Sequence, residues 1–405
     1  MKLLVLGAGG REHAIVWKLL DADRQRTILS APGNPGCATL GPCYAPPDVT
    51  PHAYLALADR LSPDLTIVGP EAPLVAGVVD LFRNAGHRII GPTQSAAQLE
   101  GSKVFSKSFL ERHAIPTAKA IKCASRSEAA AALASCPPPV VLKTDGLAAG
   151  KGVIIAYSNE HARAALRQLP EAPLLIEEFL TGEEVSFIAY VQNGRAIPLE
   201  ASQDHKTIFD NDEGPNTGGM GAYCDGRILT PTQTQLVMDT IIEPTVRGMT
   251  TDGMPYSGFL YAGLMLTEAG PKVLEYNVRL GDPETQALLH RMDSDLLATL
   301  MDGAEPTWRA EPSVCVVLAA HGYPGQVRTG DPITGIENAA CEVFHAGTRL
   351  GPAGLVTAGG RVLGVTNRGA TLQQAIENTY RAASRIHFDG LQMRSDIGAK
   401  GLKRW

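Results

Sequence analysis

The sequence predicts a multidomain chain of mixed α/β and α+β class: a parallel α/β domain, a two-part central module and a C-terminal mixed β domain. Three observations predict it. At 405 residues the chain exceeds one ordinary core. Across the first hundred residues short apolar strands alternate with helical patterns, each strand ending in a glycine or proline turn, which is the signature of a parallel sheet. Beyond them, strands flank a glycine-rich loop, and a two-faced strand near residue 275 ends in acidic residues.

Bulk composition excludes several classes. The hydrophobic share is 44% and the charged share 19%, which is globular rather than disordered. A formal net charge of −6 leaves no basic footprint for nucleic acid or anionic membrane. Seven scattered cysteines include no Cys-x-x-Cys pair, so neither a zinc site nor a disulfide framework is expected, as in a reducing cytoplasm. No apolar run approaches a membrane span, and only four apolar residues separate Met1-Lys2 from the first glycine turn, too few for a signal peptide.

Leu3–Leu6 reads as the first strand, running into Gly7-Ala8-Gly9-Gly10-Arg11-Glu12-His13 and a helix with Ile15, Leu19 and Leu20 on one side. Thr27–Ser30, Leu65–Val68 and Arg88–Ile90 follow as strands, with a helix from about Leu74 to Ala85 stopped by Gly86. The dinucleotide fingerprint fails because Glu12 occupies the third glycine position. A phosphorylated small molecule fits better: Gly9 and Gly10 allow close approach, the helix start favours an anion and Arg11 can clamp it. Asn34 and Glu71, at neighbouring strand tips, can read its hydroxyls.

Ser102 is placed to cap a helix reaching about Arg112, with Phe105 and Phe109 on its core face. An alanine-rich helix near Glu128–Ala134, the strand Val140–Lys143, the loop Asp145–Gly152 and the strand Val153–Ala156 follow. A Walker loop needs four residues before Gly-Lys and a hydroxyl after it; Gly146 is separated from Gly150 by three, and Gly152 follows Lys151. A glycine hairpin between strands still makes a phosphate lid, with Lys103, Lys143 and Lys151 to neutralise a triphosphate. Leu174–Leu180 reads as a strand whose backbone can meet an adenine edge, and Glu184 can accept from ribose hydroxyls. The stretch Gly214–Gly221 is too glycine-rich for helix or strand core and reads as a substrate loop, with His205 before it as a candidate base or structural ring.

Gly258–Met265 reads as a buried strand beside Lys272–Leu280. In the latter, Leu274, Tyr276, Val278 and Leu280 alternate with Glu275, Asn277 and Arg279, so the polar side chains share one face about 7 Å apart. Glu275 and Asn277 can grip a hard cation that bridges phosphates, and Arg279 offers a planar cation for developing negative charge. From about Pro312, strands at Val314–Ala319 and Val362–Val365 and a helix near Leu372–Ile386 are expected to form a domain closing the cleft.

Together these stretches resemble one family. Gly9-Gly10-Arg11-Glu12-His13, Val68–Leu74, Leu99–Lys103, Asp145–Val153, Ile176–Leu180, Ser202–Lys206, Gly214–Tyr223 and Gly281–Gln286 resemble, in order, the phosphoribosylamine–glycine ligases, or glycinamide ribonucleotide synthetases, of the ATP-grasp superfamily. Gly322–Gly325, Phe344–Thr348 and Gly359–Leu363 extend the likeness. The resemblance implies an N-terminal domain over residues 1–100, an ATP-grasp domain over 101–310 with a lid near 118–182, and a C-terminal domain over 311–405. It implies ATP held by Lys103, Lys143, Gly150, Lys151, Gly152, Glu177, Glu178, Leu180 and Glu184, and magnesium or manganese on Glu275 and Asn277. Substrate would meet Gly9, Gly10, Arg11, Glu12, Asn34, Glu71, Asp204, Gly219 and Asp282, with catalytic roles for Arg279, Lys206 and Asp204. The implied reaction joins glycine to 5-phosphoribosylamine through glycyl phosphate, in purine synthesis, by a cytoplasmic monomer without nucleic-acid or membrane partners. The alternative is another ATP-grasp carboxylate–amine ligase with a different acceptor; a nicotinamide dehydrogenase and a non-catalytic nucleotide sensor are the more distant rivals. Three features depart from the family pattern: Thr207 in place of arginine, Cys224-Asp225 in place of Ser-Pro, and a short segment between Gln168 and Leu174.

Overall fold

The computed structural model describes residues 1–147 and 152–404, so Gly150 and Lys151 lie outside the described residues. Four strands at the N-terminus form a parallel sheet in the order Thr27–Pro32, Lys2–Gly7, Leu65–Val68, Ile89–Ile90. The order reverses beside Lys2–Gly7, so the crevice for a ligand opens at that strand's C-terminal end. The helix expected over Leu74–Ala85 is two helices, Glu71–Val75 and Val78–Asn84. Gly77, at φ +85°, breaks the run by a left-handed turn that a side chain disfavours.

A small antiparallel sheet follows, ordered Ala120–Cys123, Leu174–Glu178, Val140–Thr144, Val153–Ala156. The helices Arg126–Ala132 and Asn159–Gln168 contribute Ala129, Ala162, Ala165 and Leu166 to a core it shares with Leu142, Leu174 and Ile176. That core is separate from those of the main body.

The main body is built on a nine-stranded sheet. Gly270–Asn277 forms one edge, followed by Gly258–Thr267, Glu183–Gln192, Ser202–Asp204 and Gly221–Cys224. The C-terminal strands Ser313–Ala319, Arg361–Arg368 and Glu342–His345 then continue the same sheet, with Ser313 opposite Cys224 and Val316 opposite Gly221. The C-terminal β region is thus an extension of the central sheet. Its strands pair there because all seven residues of Ser313–Ala319 are buried and need cover on both faces.

Two local expectations change. Gly263 faces Glu275 but Leu264 faces Val273, so Leu274 is the extra residue of a bulge. It joins Ala118, Leu180 and Met265 in the cleft wall, while Tyr276, Val278 and Leu280 are buried on the core side as expected. The glycine-rich stretch is partly ordered into a hairpin, Thr207–Phe209 against Glu213–Asn216. Among the described residues no helix is long and apolar enough to cross a membrane, and all seven cysteines are free.

Candidate active site

One cleft of about 1110 Å³ runs between the three sheets and gathers most of the polar residues singled out in the sequence. At one end Lys143, from Val140–Thr144, places Nζ 2.8 Å from Glu177 Oε2 and donates to the Leu274 carbonyl at 2.8 Å. Lys107 meets the other oxygen of Glu177, also at 2.8 Å. Glu177 is 3% exposed, so two cations share one buried carboxylate. Lys103, one turn before Lys107, donates to Gly146 O at 2.8 Å and lines the same cleft. Burial lowers the pKa of both helix lysines, against the pull of their carboxylate neighbours.

The apolar wall here is Ala118, Leu180, Met265 and Leu274. Glu178 hydrogen-bonds through Oε1 to Lys119 N at 3.0 Å, with Lys272 at 3.4 Å, and its own N–H donates to Lys119 O. Its side chain thereby stitches the edge of the small sheet. Gly152 is buried at the start of Val153–Ala156. The exposed Glu184 pairs with Lys206 at 3.0 Å.

In the middle of the cleft, Glu275 projects from the edge strand toward Lys206, whose Nζ is 3.8 Å from Oε1. Burial pushes the Glu275 carboxyl up, but Lys206, Lys143, Lys103 and Arg279 together outweigh it and hold its pKa below the ordinary value. Lys206 is raised, first by Glu184 and then by Glu275 and Asp204, against burial. Asn277 Oδ1 accepts from Arg279 Nη2 at 3.0 Å. One ionised carboxylate and one amide oxygen on a strand face are hard donors suited to a divalent cation. Among the described residues no cluster of three or more His, Cys, Asp or Glu could hold an ion alone, so phosphate and water oxygens would have to complete the shell.

Arg279 sits among acids: Glu100 at 2.8 Å through Nη2 and Glu71 at 3.4 Å through Nε. Asp204 bonds its own neighbour's backbone, His205 N, at 2.6 Å. Burial and then the charge of Glu284 push the Asp204 carboxyl well above its ordinary value, with Lys206 and Arg361 opposing. Asp282 moves the other way. Burial opposes its ionisation, but Arg361 and Arg11 prevail. Glu284 accepts from Tyr261 OH at 2.5 Å and from Ser186 at 3.3 Å. Gly219, at φ +109°, leaves no room for a Cβ, which would lie 2.6 Å from Pro283 Cδ.

The glycine turn at the far end is more self-contained than its sequence suggests. Glu12 is 2% exposed and spends one oxygen on Gly9 N at 2.5 Å and the other on Arg11 Nε at 2.7 Å. A Cβ on Gly10 would meet Gln286 Nε2 at 2.6 Å, so what approaches this glycine closely is a protein side chain. Asn34 caps Cys37 N at 2.9 Å and donates to Ala8 O and His345 O at 2.9 and 2.7 Å. Arg11 and Glu71 do line the cleft, 3.9 Å apart, and Arg11 donates to Leu280 O at 2.8 Å. His205 is fully buried, lies outside the residues that line the cleft and accepts from Gly398 N at 3.3 Å, so it serves as a structural ring, and burial lowers its pKa to about 4.

Four cleft residues were not assigned roles from sequence. Lys107 follows Lys103 at helical i,i+4 spacing, a signal that was available. Glu100 immediately precedes the Gly101-Ser102-Lys103 turn, and Glu284 closes Gly-Asp-Pro-Glu. Arg361 lies in the Gly359–Leu363 motif, but that motif does not reveal its partners: its guanidinium donates to Gly218 O and, at 2.5 Å, to Asp282 O, both far away in sequence.

Comparisons with known proteins bear on the family and the fold. Family models described as the N domain, ATP-grasp (A) domain and C domain of phosphoribosylglycinamide synthetase match residues 1–100, 101–285 and 313–400. The phosphoribosylamine–glycine ligase of Xylella fastidiosa is 48% identical over 425 aligned positions, spanning 100% of this chain and 99% of that protein. The Escherichia coli ligase is 48% identical over 432 positions, with coverages of 100% and 99%. Among solved structures, the Thermotoga maritima phosphoribosylamine–glycine ligase superposes with a TM-score of 0.86 at 33% identity, over 98% of this chain and 100% of that one. The biotin carboxylase domain of Hydrogenobacter thermophilus 2-oxoglutarate carboxylase shares the fold, with a TM-score of 0.70 at 16% identity over 97% and 91% of the two chains.

Proposed function

Because the chain belongs to the phosphoribosylglycinamide synthetase family, we propose that its cleft is the site where ATP drives the joining of glycine to 5-phosphoribosylamine. The enzyme is an ATP-grasp ligase of purine biosynthesis that uses ATP and a divalent metal. One observation carries the assignment of chemistry to residues: Glu275, Lys206, Lys143 and Arg279 converge on the same cleft as Arg11 and Glu71 of the N-terminal region.

The first step is phosphoryl transfer. A glycine carboxylate oxygen attacks the γ-phosphorus, the bond to the β,γ-bridging oxygen breaks and ADP leaves. Lys103, Lys143 and Lys206 offset charge on the phosphates, with Lys151 placed by sequence beside them. Glu177 orients Lys143 and Lys107, Leu180 walls the base, and Glu178, Glu184 and the Gly150–Gly152 loop complete the nucleotide site. Glu275 and Asn277 are the residues that would hold the metal, magnesium or manganese, which when bound shields phosphate charge.

In the second step the amine of phosphoribosylamine attacks the carbonyl carbon of glycyl phosphate. Arg279 stabilises the oxyanion, phosphate departs and the amine loses a proton. Asp204 takes that proton, a role supported by the environment that raises its carboxyl. Arg11, Glu71 and Asp282 bind the sugar phosphate, with Gly9, Gly10, Glu12 and Asn34 shaping the turn that carries Arg11, and Gly219 lets the substrate loop approach. The domain limits are read as 1–100, 101–310 with a lid over 118–182, and 311–405; the enzyme is read as a cytoplasmic monomer without nucleic-acid or membrane partners.

The test is ADP formation as ATP, glycine and phosphoribosylamine are omitted in turn. Full activity only with all three is expected. Activity that persists with glycine absent, or with another amine in place of phosphoribosylamine, would favour a different carboxylate–amine ligase.

A further inference from the structure

Among the described residues Arg394 is the largest side chain that is wholly buried, yet it carries a full charge in the C-terminal segment of the chain. Its guanidinium grips Asp396 in a fork, Nε to Oδ1 and Nη2 to Oδ2, both at 2.7 Å. The remaining donors turn to the hairpin 207–216. Nη1 reaches Thr207 Oγ1 at 2.9 Å and its carbonyl at 3.3 Å, and Asp212 Oδ1 is 3.2 Å from Nη1 and Nη2. The neighbouring residues follow suit. Asp396 accepts from Asn211 N at 2.9 Å, Ser395 N donates to Asp210 at 2.7 Å, and Lys400 pairs with Asp212 at 2.7 Å.

The hairpin needs such a hold. Asn211 and Asp212 both sit at φ +58°, a left-handed pair that costs energy without external contacts. Its two ends are functional ground: Lys206 immediately precedes it, and Thr217 follows it and binds Lys206 O through both N and Oγ1. Thr207 stands where the family resemblance leads to arginine, and in this chain its hydroxyl meets a guanidinium supplied from position 394.

We propose that Arg394 is a positioning residue of the ligase: by locking the 207–216 hairpin it fixes Lys206 opposite Glu275 and Glu184. The C-terminal segment is then a latch on the catalytic loop, and its effect on turnover passes through Lys206. This inference rests on the ligase reading above and adds to it a residue with no atom among the groups lining the cleft.

The test compares Arg394→Lys, Lys206→Met and the double variant in the full-length enzyme. Arg394→Lys keeps the charge but cannot span Asp396, Asp212 and Thr207 together. Its kcat should fall roughly ten- to hundredfold, because small misplacements of a catalytic group cost that much. The KM for phosphoribosylamine, whose proposed contacts Arg11, Glu71 and Asp282 lie outside the hairpin, should hold. The double variant should turn over no more slowly than Lys206→Met alone, because acting through one group makes losses non-additive. Losses that multiply, or a change confined to the KM for phosphoribosylamine, would overturn the proposal. Thr207→Val removes one hydroxyl acceptor and should reproduce the pattern at smaller amplitude, so the proposal remains testable if Arg394→Lys does not fold; wild-type kinetics in Thr207→Val would then refute it. A failure of the ligase reading looks different, as absence of glycine- and phosphoribosylamine-dependent ADP formation in the unaltered enzyme.

Discussion

Glu100 Oε1 lies 2.8 Å from Arg279 Nη2, and Glu100 Oε2 accepts the Val278 N–H at 2.7 Å. One buried carboxylate at the end of the helix Gln98–Gly101 therefore holds both the backbone and the guanidinium of the segment that leaves the edge strand Gly270–Asn277. Its other effect is directional: Arg279 is turned toward Asn277 and Glu71, not toward bulk water.

Glu100→Gln is expected to lower ligase turnover roughly tenfold or more, because the guanidinium keeps its charge but loses its aim. Nucleotide binding, followed by titration with ADP, should be unaffected. A normal kcat in the variant would show that Arg279 needs no such guide.

Arg279→Ala removes the cation proposed to stabilise the oxyanion and should abolish most turnover, by about a hundredfold or more for loss of an oxyanion donor. ATP affinity should persist, because Lys103 and Lys143 are untouched. Undiminished ADP release in the coupled assay would refute the role.

Glu275→Ala should steeply raise the magnesium concentration needed for half-maximal activity, since only Asn277 remains among the two proposed ligands. An unaltered magnesium titration would count against ligation there. Acid sensitivity adds a second check. The Glu275 carboxyl is held below its ordinary value, so its stabilising charge is present above the unfolded value and lost as pH falls through the folded one. Lys206→Met removes the leading cation, so the folded value should rise and acid unfolding begin at higher pH.

Lys107→Met leaves Glu177 buried with one cation in place of two. Breaking such a buried pair costs about 3 kcal/mol, which denaturant unfolding will read directly. The loss should shrink when Glu177→Gln is combined with it.

Buried histidines set a wider pH limit. Burial lowers His13 and His290 to about 3 and His205 to about 4 from 6.5. Below 6.5 the unfolded chain holds protons these folded rings refuse, so stability must fall as pH drops toward 4. Each ring contributes roughly 1.4 kcal/mol per pH unit. Urea midpoints measured between pH 7 and 4.5 should decline, and His290→Gln should flatten the decline.

The sequence was most informative where the signal is local. Leu65–Val68 and Val153–Ala156 have the limits expected, because each is an apolar run bounded by turn residues. Ser102 caps Phe105 N at 3.0 Å and opens Lys103–Arg112 as its hydroxyl predicts. The alternation of Glu275, Asn277 and Arg279 was legible for the same reason. Features set by distant partners were not. The bulge at Leu274 exists only against Gly263 and Leu264, and Ser313–Ala319 chose Gly221–Cys224 as neighbour by long-range pairing that periodicity cannot name. Glu12 and Asn34 were expected to face a ligand, but the turn's own N–H and carbonyl groups need partners first, and these side chains supply them.

The strand pairing of Cys224 with Ser313 has a mechanical consequence. A cut near residue 311 would not release an appendage; it would bare the fully buried strand Gly221–Cys224 along one whole side. Of the cleft's walls, the one that begins at Glu275 and the one that ends at Arg361 are therefore parts of a single stiff plate. Among the described residues the little sheet around Val140–Thr144 packs on a core of its own and meets that plate through side chains such as Lys143, which reaches the Leu274 carbonyl, so the cleft lies between one continuous plate and a separately packed wall.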